Sequence, residues 1–158
     1  MANTQSMTTS FLGEILTATH NFGTAPVRAS GAADSFKAAL YLTSATINAA
    51  TTAYSSTGEV TGTGYTAGGV AVTNATAPTA TNSSATAGVA YWTPSASITY
   101  TTVTLATAFD CVLIYNSTQS NKAVSVHTFG SQTITAGTFT LTMPSNTTST
   151  ALLRLATT

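Results

Sequence analysis

The sequence predicts an all-β protein, an antiparallel β-sandwich or jelly roll of about eight strands with one short N-terminal helix. Three observations lead there. Short runs rich in β-branched and aromatic residues recur from residue 36 to residue 156, and most are bounded by Gly, Pro, Asn or Ser. Several runs alternate with period two, as a strand does when one face is buried. Threonine, a strand-favouring residue, is the commonest type: 37 Thr and 27 Ala fill 64 of the 158 positions. A chain of 158 residues is about one domain on a prior of ~100–200 residues. It is expected to comprise an N-terminal arm or helix, residues 1–22, and a single β-sandwich domain, residues 23–158. No repeat of about 20–50 residues is visible, so neither a solenoid nor a propeller is expected.

The helix is predicted over residues 11–19, where Phe11, Leu12, Ile15 and Leu16 share one face. Ser10 suits the N-cap, Glu14 the first turn, and Asn21-Phe22-Gly23 the end. So short a helix must dock to persist. It either covers the core of its own body or grips a neighbouring subunit. Residues 23–34 read as a loop. Phe36–Leu42 alternates, with Phe36, Ala38, Leu40 and Leu42 on one face, as a half-buried strand. Gly62, Gly64, Gly68 and Gly69 around Tyr65 suggest turns or bulges. Val70–Thr73 is a strand, and residues 74–88 form a long polar loop of small residues. Val89–Thr93, Ile98–Leu105 and Asp110–Tyr115 are strands, the last continuously apolar and therefore central. Residues 116–121 make a hairpin loop. Lys122–Phe129, Gln132–Thr135 and Thr138–Met143 then form a meander, turning at Gly130-Ser131 and Ala136-Gly137, and Ala151–Ala156 closes the chain.

Charge is the outlying quantity. Charged residues make up 5% of the chain, against about 25% in ordinary soluble proteins. The eight are Glu14, Arg28, Asp34, Lys37, Glu59, Asp110, Lys122 and Arg154, and they cancel. Four scattered cations cannot replace counterions along nucleic-acid phosphates, nor hold an anionic membrane surface. A mean hydropathy of +0.24 argues against disorder. No apolar run approaches the ~18–20 residues of a membrane-spanning helix. Met1–Met7 has neither a basic region nor an apolar core and does not read as a signal peptide. Hydroxyls and amides must therefore hydrate the outside. Edge strands lack the lysines that ordinarily guard them, so the chain is expected to associate with copies of itself, as a dimer or trimer, through contacts that respond weakly to salt.

No constellation for catalysis emerges, and no catalytic, cofactor-binding or metal-binding residue is assigned. His20 and His127 are the only histidines, and no His or Cys pair has metal-ligand spacing. Asp110 and His127 could face each other across a hairpin, but no nucleophile elbow accompanies them. The glycines at 62–69 lack the Lys-Ser/Thr of a phosphate loop. Cys111 lies in the apolar run Cys111–Ile114 and reads as a buried thiol. Sequons at Asn74, Asn82, Asn116 and Asn146 are expected by chance in a chain so rich in Thr and Ser. Trp92, Tyr91 and Tyr65 are the candidates for a carbohydrate platform, with core or interface the alternative.

The chain also resembles a family of small structural proteins of tailed bacteriophages. The likeness runs through Met1–His20, Phe36–Tyr41, Thr57-Gly58-Glu59-Val60, Gly62-Thr63-Gly64-Tyr65-Thr66-Ala67-Gly68-Gly69-Val70, Ala108-Phe109-Asp110, Val112–Asn116 and Thr138–Met143. The resemblance implies a virion protein without catalytic residues or cofactors, encoded near the head genes. The role it favours is a head decoration or cement protein on the outer capsid surface, clamping neighbouring major capsid protein subunits. A tail, neck or fibre subunit is the alternative. For a clamp, the 110–143 meander would be the rigid part, and residues 1–22 and 74–88 the parts that reach a neighbour.

Overall fold

The computed structural model describes residues 3–16, 18–22, 33–74, 77–81 and 88–156. Most of the predicted loops 23–34 and 74–88 lie outside them. The elements run β1 (Ser6–Met7), α1 (Thr9–Leu16), β2 (Phe36–Leu42), β3 (Val70–Val72), β4 (Thr79–Ala80), β5 (Val89–Trp92), β6 (Ile98–Asn116), β7 (Lys122–Leu141) and β8 (Leu153–Ala156). The fold is all-β. A five-stranded antiparallel sheet has the order β1-β7-β6-β2-β3, and a three-stranded one the order β4-β5-β8.

The predicted meander is replaced by one long hairpin. Ile98–Leu105 and Asp110–Tyr115 belong to a single 19-residue strand, β6, and everything from Lys122 to Leu141 to a single 20-residue strand, β7. Their pairing runs from Asn116↔Lys122 at the closed end to Ile98↔Leu141 at the open end. Gly130-Ser131 and Ala136-Gly137 are not turns, because the partner strand continues alongside them. Extra residues are absorbed as bulges, with register shifts clustered between Tyr100 and Cys111 and positive φ at Thr102 (53°) and Ala136 (45°).

The bulges bend the hairpin over itself. The Tyr100 hydroxyl donates to the Ala38 carbonyl at 2.8 Å, so the open half lies across the face of β2. Between these layers sit Phe36, Ala38, Leu40, Val112 and Ile114 from one side and Ile98, Tyr100, Val103 and Leu105 from the other, all buried. A second core fills the opposite face. There Ala39, Tyr41, Cys111, Leu113 and Tyr115 meet Ala45 and Ile47 from the segment after β2. Strand β2 was predicted half-buried; it is covered on both faces, and its five residues from Ala38 to Leu42 include four that are fully buried.

The N-terminal segment docks on this body. Strand β1 pairs with β7 (Ser6↔Val126), and Thr4 and Thr9 donate backbone hydrogen bonds to Ile47 and Ala49. Of the two roles left open for the helix, the isolated chain shows the core-covering one: Phe11 is 2% exposed within the first core. The helix starts earlier than predicted. Ser10 is inside it, and Thr8 stands at its entrance with its hydroxyl donating to the carbonyls of Ala123 and Val124.

Candidate functional site

The few ionisable side chains are turned inward or tied down. Seven of the eight lie among the described residues. Asp34 and Glu59 are buried, Glu14, Lys37, Asp110 and Lys122 are partly buried, and only Arg154 is exposed. Even Arg154 donates from Nε to the Thr148 carbonyl at 2.7 Å. Residues 60–109 contain no charged residue at all, nor do residues 128–153. These stretches include the whole open half of the hairpin, whose outer positions are mainly threonines such as Thr99, Thr101, Thr138 and Thr140. The surface is thus neutral and hydroxyl-lined, with a long strand edge and no lysine to guard it.

Glu59 is the hub of the second polar feature. Its Oε2 accepts from the Tyr54 hydroxyl, and its Oε1 from the Tyr65 hydroxyl and the Gly68 backbone N–H, each at 2.7 Å. The Tyr115 hydroxyl donates to the Gly68 carbonyl at 2.8 Å. One of the turn glycines, Gly68, therefore does bind an anion, but it is the chain's own carboxylate. Burial pushes the phenol of Tyr54 up to about 12, reinforced by the hydrogen bond to Glu59, and that of Tyr65 higher still. Gly69 has φ +72°, and a Cβ there would overlap the Ala38 carbonyl oxygen. No site is assigned to Glu59 from the sequence, so the hub is a feature the structure adds. Its signal was available: a lone acid beside Gly58, with tyrosines five residues before and six after, opening a stretch of 50 residues without charge.

A third cluster ties the N-terminal segment down. Glu14 accepts from Lys122 Nζ at 2.5 Å and contacts His20 Nε2 at 2.6 Å. His20 also meets Asn116, which donates to Asp34 at 2.8 Å. For Glu14, burial works against ionisation, yet the hydrogen bonds from Lys122 and His20 outweigh it and hold the carboxyl below its usual range.

Beside this cluster opens an apolar cavity of about 190 Å³ between α1 and the three-stranded sheet, lined by Phe11, Ile15, Phe22, Tyr91, Trp92 and Leu155 among others. Phe22 stacks on Phe36 at 4.4 Å and meets Trp92 edge-on at 4.7 Å. The proposed carbohydrate platform is not displayed. Trp92 is 3% exposed with its indole N–H on Asn74 Oδ1, Tyr65 turns its hydroxyl to Glu59, and only Tyr91 borders the cavity half-exposed.

The Asp110–His127 pair is not brought together. The register sets Val112 opposite His127. Asp110 Oδ1 accepts from Asn3 Nδ2 at 2.6 Å, and His127 Nε2 lies 2.9 Å from Ser125 Oγ. Burial lowers the His127 pKa to about 4. Cys111 is buried as predicted, and burial raises its thiol to about 12. Of the sequons, Asn116 is fully buried and Asn82 lies outside the described residues. Among the described residues no three His, Cys, Asp or Glu side chains converge on a metal position, and no helix is long and apolar enough to cross a membrane.

Comparison of the chain with protein-family models, with curated proteins and with solved structures gives no match.

Proposed function

We propose that this chain is a virion structural protein of a tailed bacteriophage, a decoration or cement protein that binds the outer capsid surface through contacts with major capsid subunits and with copies of itself. The observation that carries the reading is the distribution of charge. A β body that keeps six of its seven described charged residues from full exposure has almost no long-range repulsion between copies. Its neutral threonine surface suits permanent association by shape, backbone hydrogen bonds and apolar contact. The bent hairpin, packed on both faces, supplies rigidity. The resemblance to small phage structural proteins supports the same assignment.

The test is binding of the purified chain to expanded capsids that lack it. Saturation at a fixed, high copy number per particle, retained in 1 M salt, is the expected result. A handful of copies at one vertex would place it in the neck or tail, and no capsid binding at all would overturn the assignment.

A further inference from the structure

The polar cluster around His20 holds the N-terminal segment on the body, and its geometry dictates a protonation state. The imidazole side chain is 1% exposed. Asn116, at the closed end of the hairpin, has its amide orientation fixed from outside the cluster. Its Oδ1 accepts from the backbone N–H groups of Thr118 and Gln119, both at 3.1 Å. Flipping the amide would set its NH₂ against two N–H donors and leave them unpaired. Its Nδ2 therefore faces inward. One hydrogen goes to Asp34 Oδ2 at 2.8 Å and the other to His20 Nδ1 at 3.0 Å. An amide nitrogen cannot accept, so Nδ1 carries no proton. Nε2 carries it instead and donates to Glu14 Oε2 at 2.6 Å. The ring is satisfied at both nitrogens only as the neutral Nε2–H tautomer.

We propose that His20 is an acid-sensitive latch: a proton arriving at Nδ1 meets the Asn116 amide N–H head-on, breaks the contact, and releases helix α1 with its flanking segment from the closed end of the hairpin. Among the described residues, the charged groups around the ring are Glu14 on α1, Asp34 before β2 and Lys122 on β7. Burial disfavours the imidazolium, as does Lys122, while the hydrogen bond to Glu14 and the charges of Glu14 and Asp34 favour it. Burial prevails, and the ring titrates below the ordinary histidine range. The docked state thus binds fewer protons than the released one. Docking is complete above about pH 6.5 and weakens as pH falls through the range below it. Release opens the wall that Phe11 and Ile15 give to the apolar cavity. The latch stands independently of the proposed virion role.

Nitrogen-15 NMR of the histidine rings, with site-resolved amide exchange, tests this on the full chain. The expected result is an Nε2–H tautomer for His20 at pH 7.5, a ring pKa below 6.5, and opening of α1 that rises by up to about tenfold per pH unit on acidification, after correction for intrinsic exchange. His20→Gln keeps a donor and an acceptor at the tip but takes up no proton near pH 5, so it should remove the acid-dependent opening. An Nδ1–H tautomer, titration at or above pH 6.5, pH-independent protection of α1, or unchanged acid loosening in H20Q would each overturn the latch.

Discussion

Phe129 and Phe139 lie ten positions apart on the same strand, yet their ring centroids are 5.2 Å apart. A straight strand would separate them by about 33 Å. Strand β7 must therefore double back between them, and Phe109 from β6 sits in the fold, 5.9 Å from Phe129 and 5.1 Å from Phe139. A single bent hairpin supplies both layers of the main sandwich. The three rings pack together inside the bend, and register shifts flank Phe109 on both sides.

Phe109 is fully buried, so Phe109→Ala removes the filling of the bend. The expected loss is about 3–5 kcal/mol of stability, read as a lower urea midpoint. A loss below about 1 kcal/mol would show that the bend is held by the bulged backbone alone.

Two glycines that look alike in the sequence should behave oppositely. Gly69→Ala forces a Cβ into the Ala38 carbonyl at φ +72° and should cost about 2 kcal/mol or more. Gly130 has open space where a Cβ would stand and no positive φ. Gly130→Ala should be neutral or stabilise by up to about 1 kcal/mol. Thermal melts of the two variants measure both.

That contrast also shows what the sequence could and could not reveal. Period-two alternation placed Phe36–Leu42 because it reports local backbone geometry. It could not show that Ala39 and Tyr41 are buried as well, because the residues that cover them, Ala45 and Ile47, reach that face only through a loop. Gly130 and Gly137 resemble turn residues. Whether a glycine turns the chain or sits in a bulge depends on the partner strand running past it, here residues 98–109, which is non-local information. The Tyr115 contact beside the Glu59 hub was hidden for the same reason: its hydroxyl reaches Gly68 from 47 residues away.

Removing the Glu59 carboxylate strands three donors at once. Glu59→Ala should destabilise by about 3 kcal/mol or more, since each buried donor left unpaired costs about 1–3 kcal/mol. Glu59→Gln keeps one acceptor oxygen for Tyr65 and Gly68, and the Tyr54 hydroxyl can rotate to accept from the new amide. Its loss should be clearly smaller. Chemical denaturation of both variants checks the order, and equal losses would refute the hub.

Acid should weaken the fold through His127 as well. Burial lowers its pKa to about 4, below the ordinary value near 6.5, so the unfolded chain binds the proton more readily. Stability from this residue is full above about pH 6.5 and is lost as pH falls towards 4. The span corresponds to an upper bound of roughly 3–4 kcal/mol. His127→Phe, which cannot titrate, should flatten that part of the curve of unfolding free energy against pH. A variant with the same slope between pH 6.5 and 4 would assign the acid sensitivity elsewhere.

Salt should do little to the folded chain. Among the described residues the ionic contacts are those of Glu14 with Lys122 and His20, and the Lys122 side chain is 38% exposed. One partly screened pair contributes no more than about 1 kcal/mol. Raising sodium chloride from 0.05 to 1 M screens that pair, while residues 60–109 and 128–153 hold no charge to screen. The unfolding free energy should shift by less than about 1 kcal/mol. Self-association, measured by sedimentation over the same range, should be equally insensitive, since neutral threonine surfaces carry no field for salt to weaken. Dissociation of an oligomer on adding salt would mean that the few ions present, Lys37 or Arg154 among them, carry the contact, and the charge-poor surface would lose its proposed role.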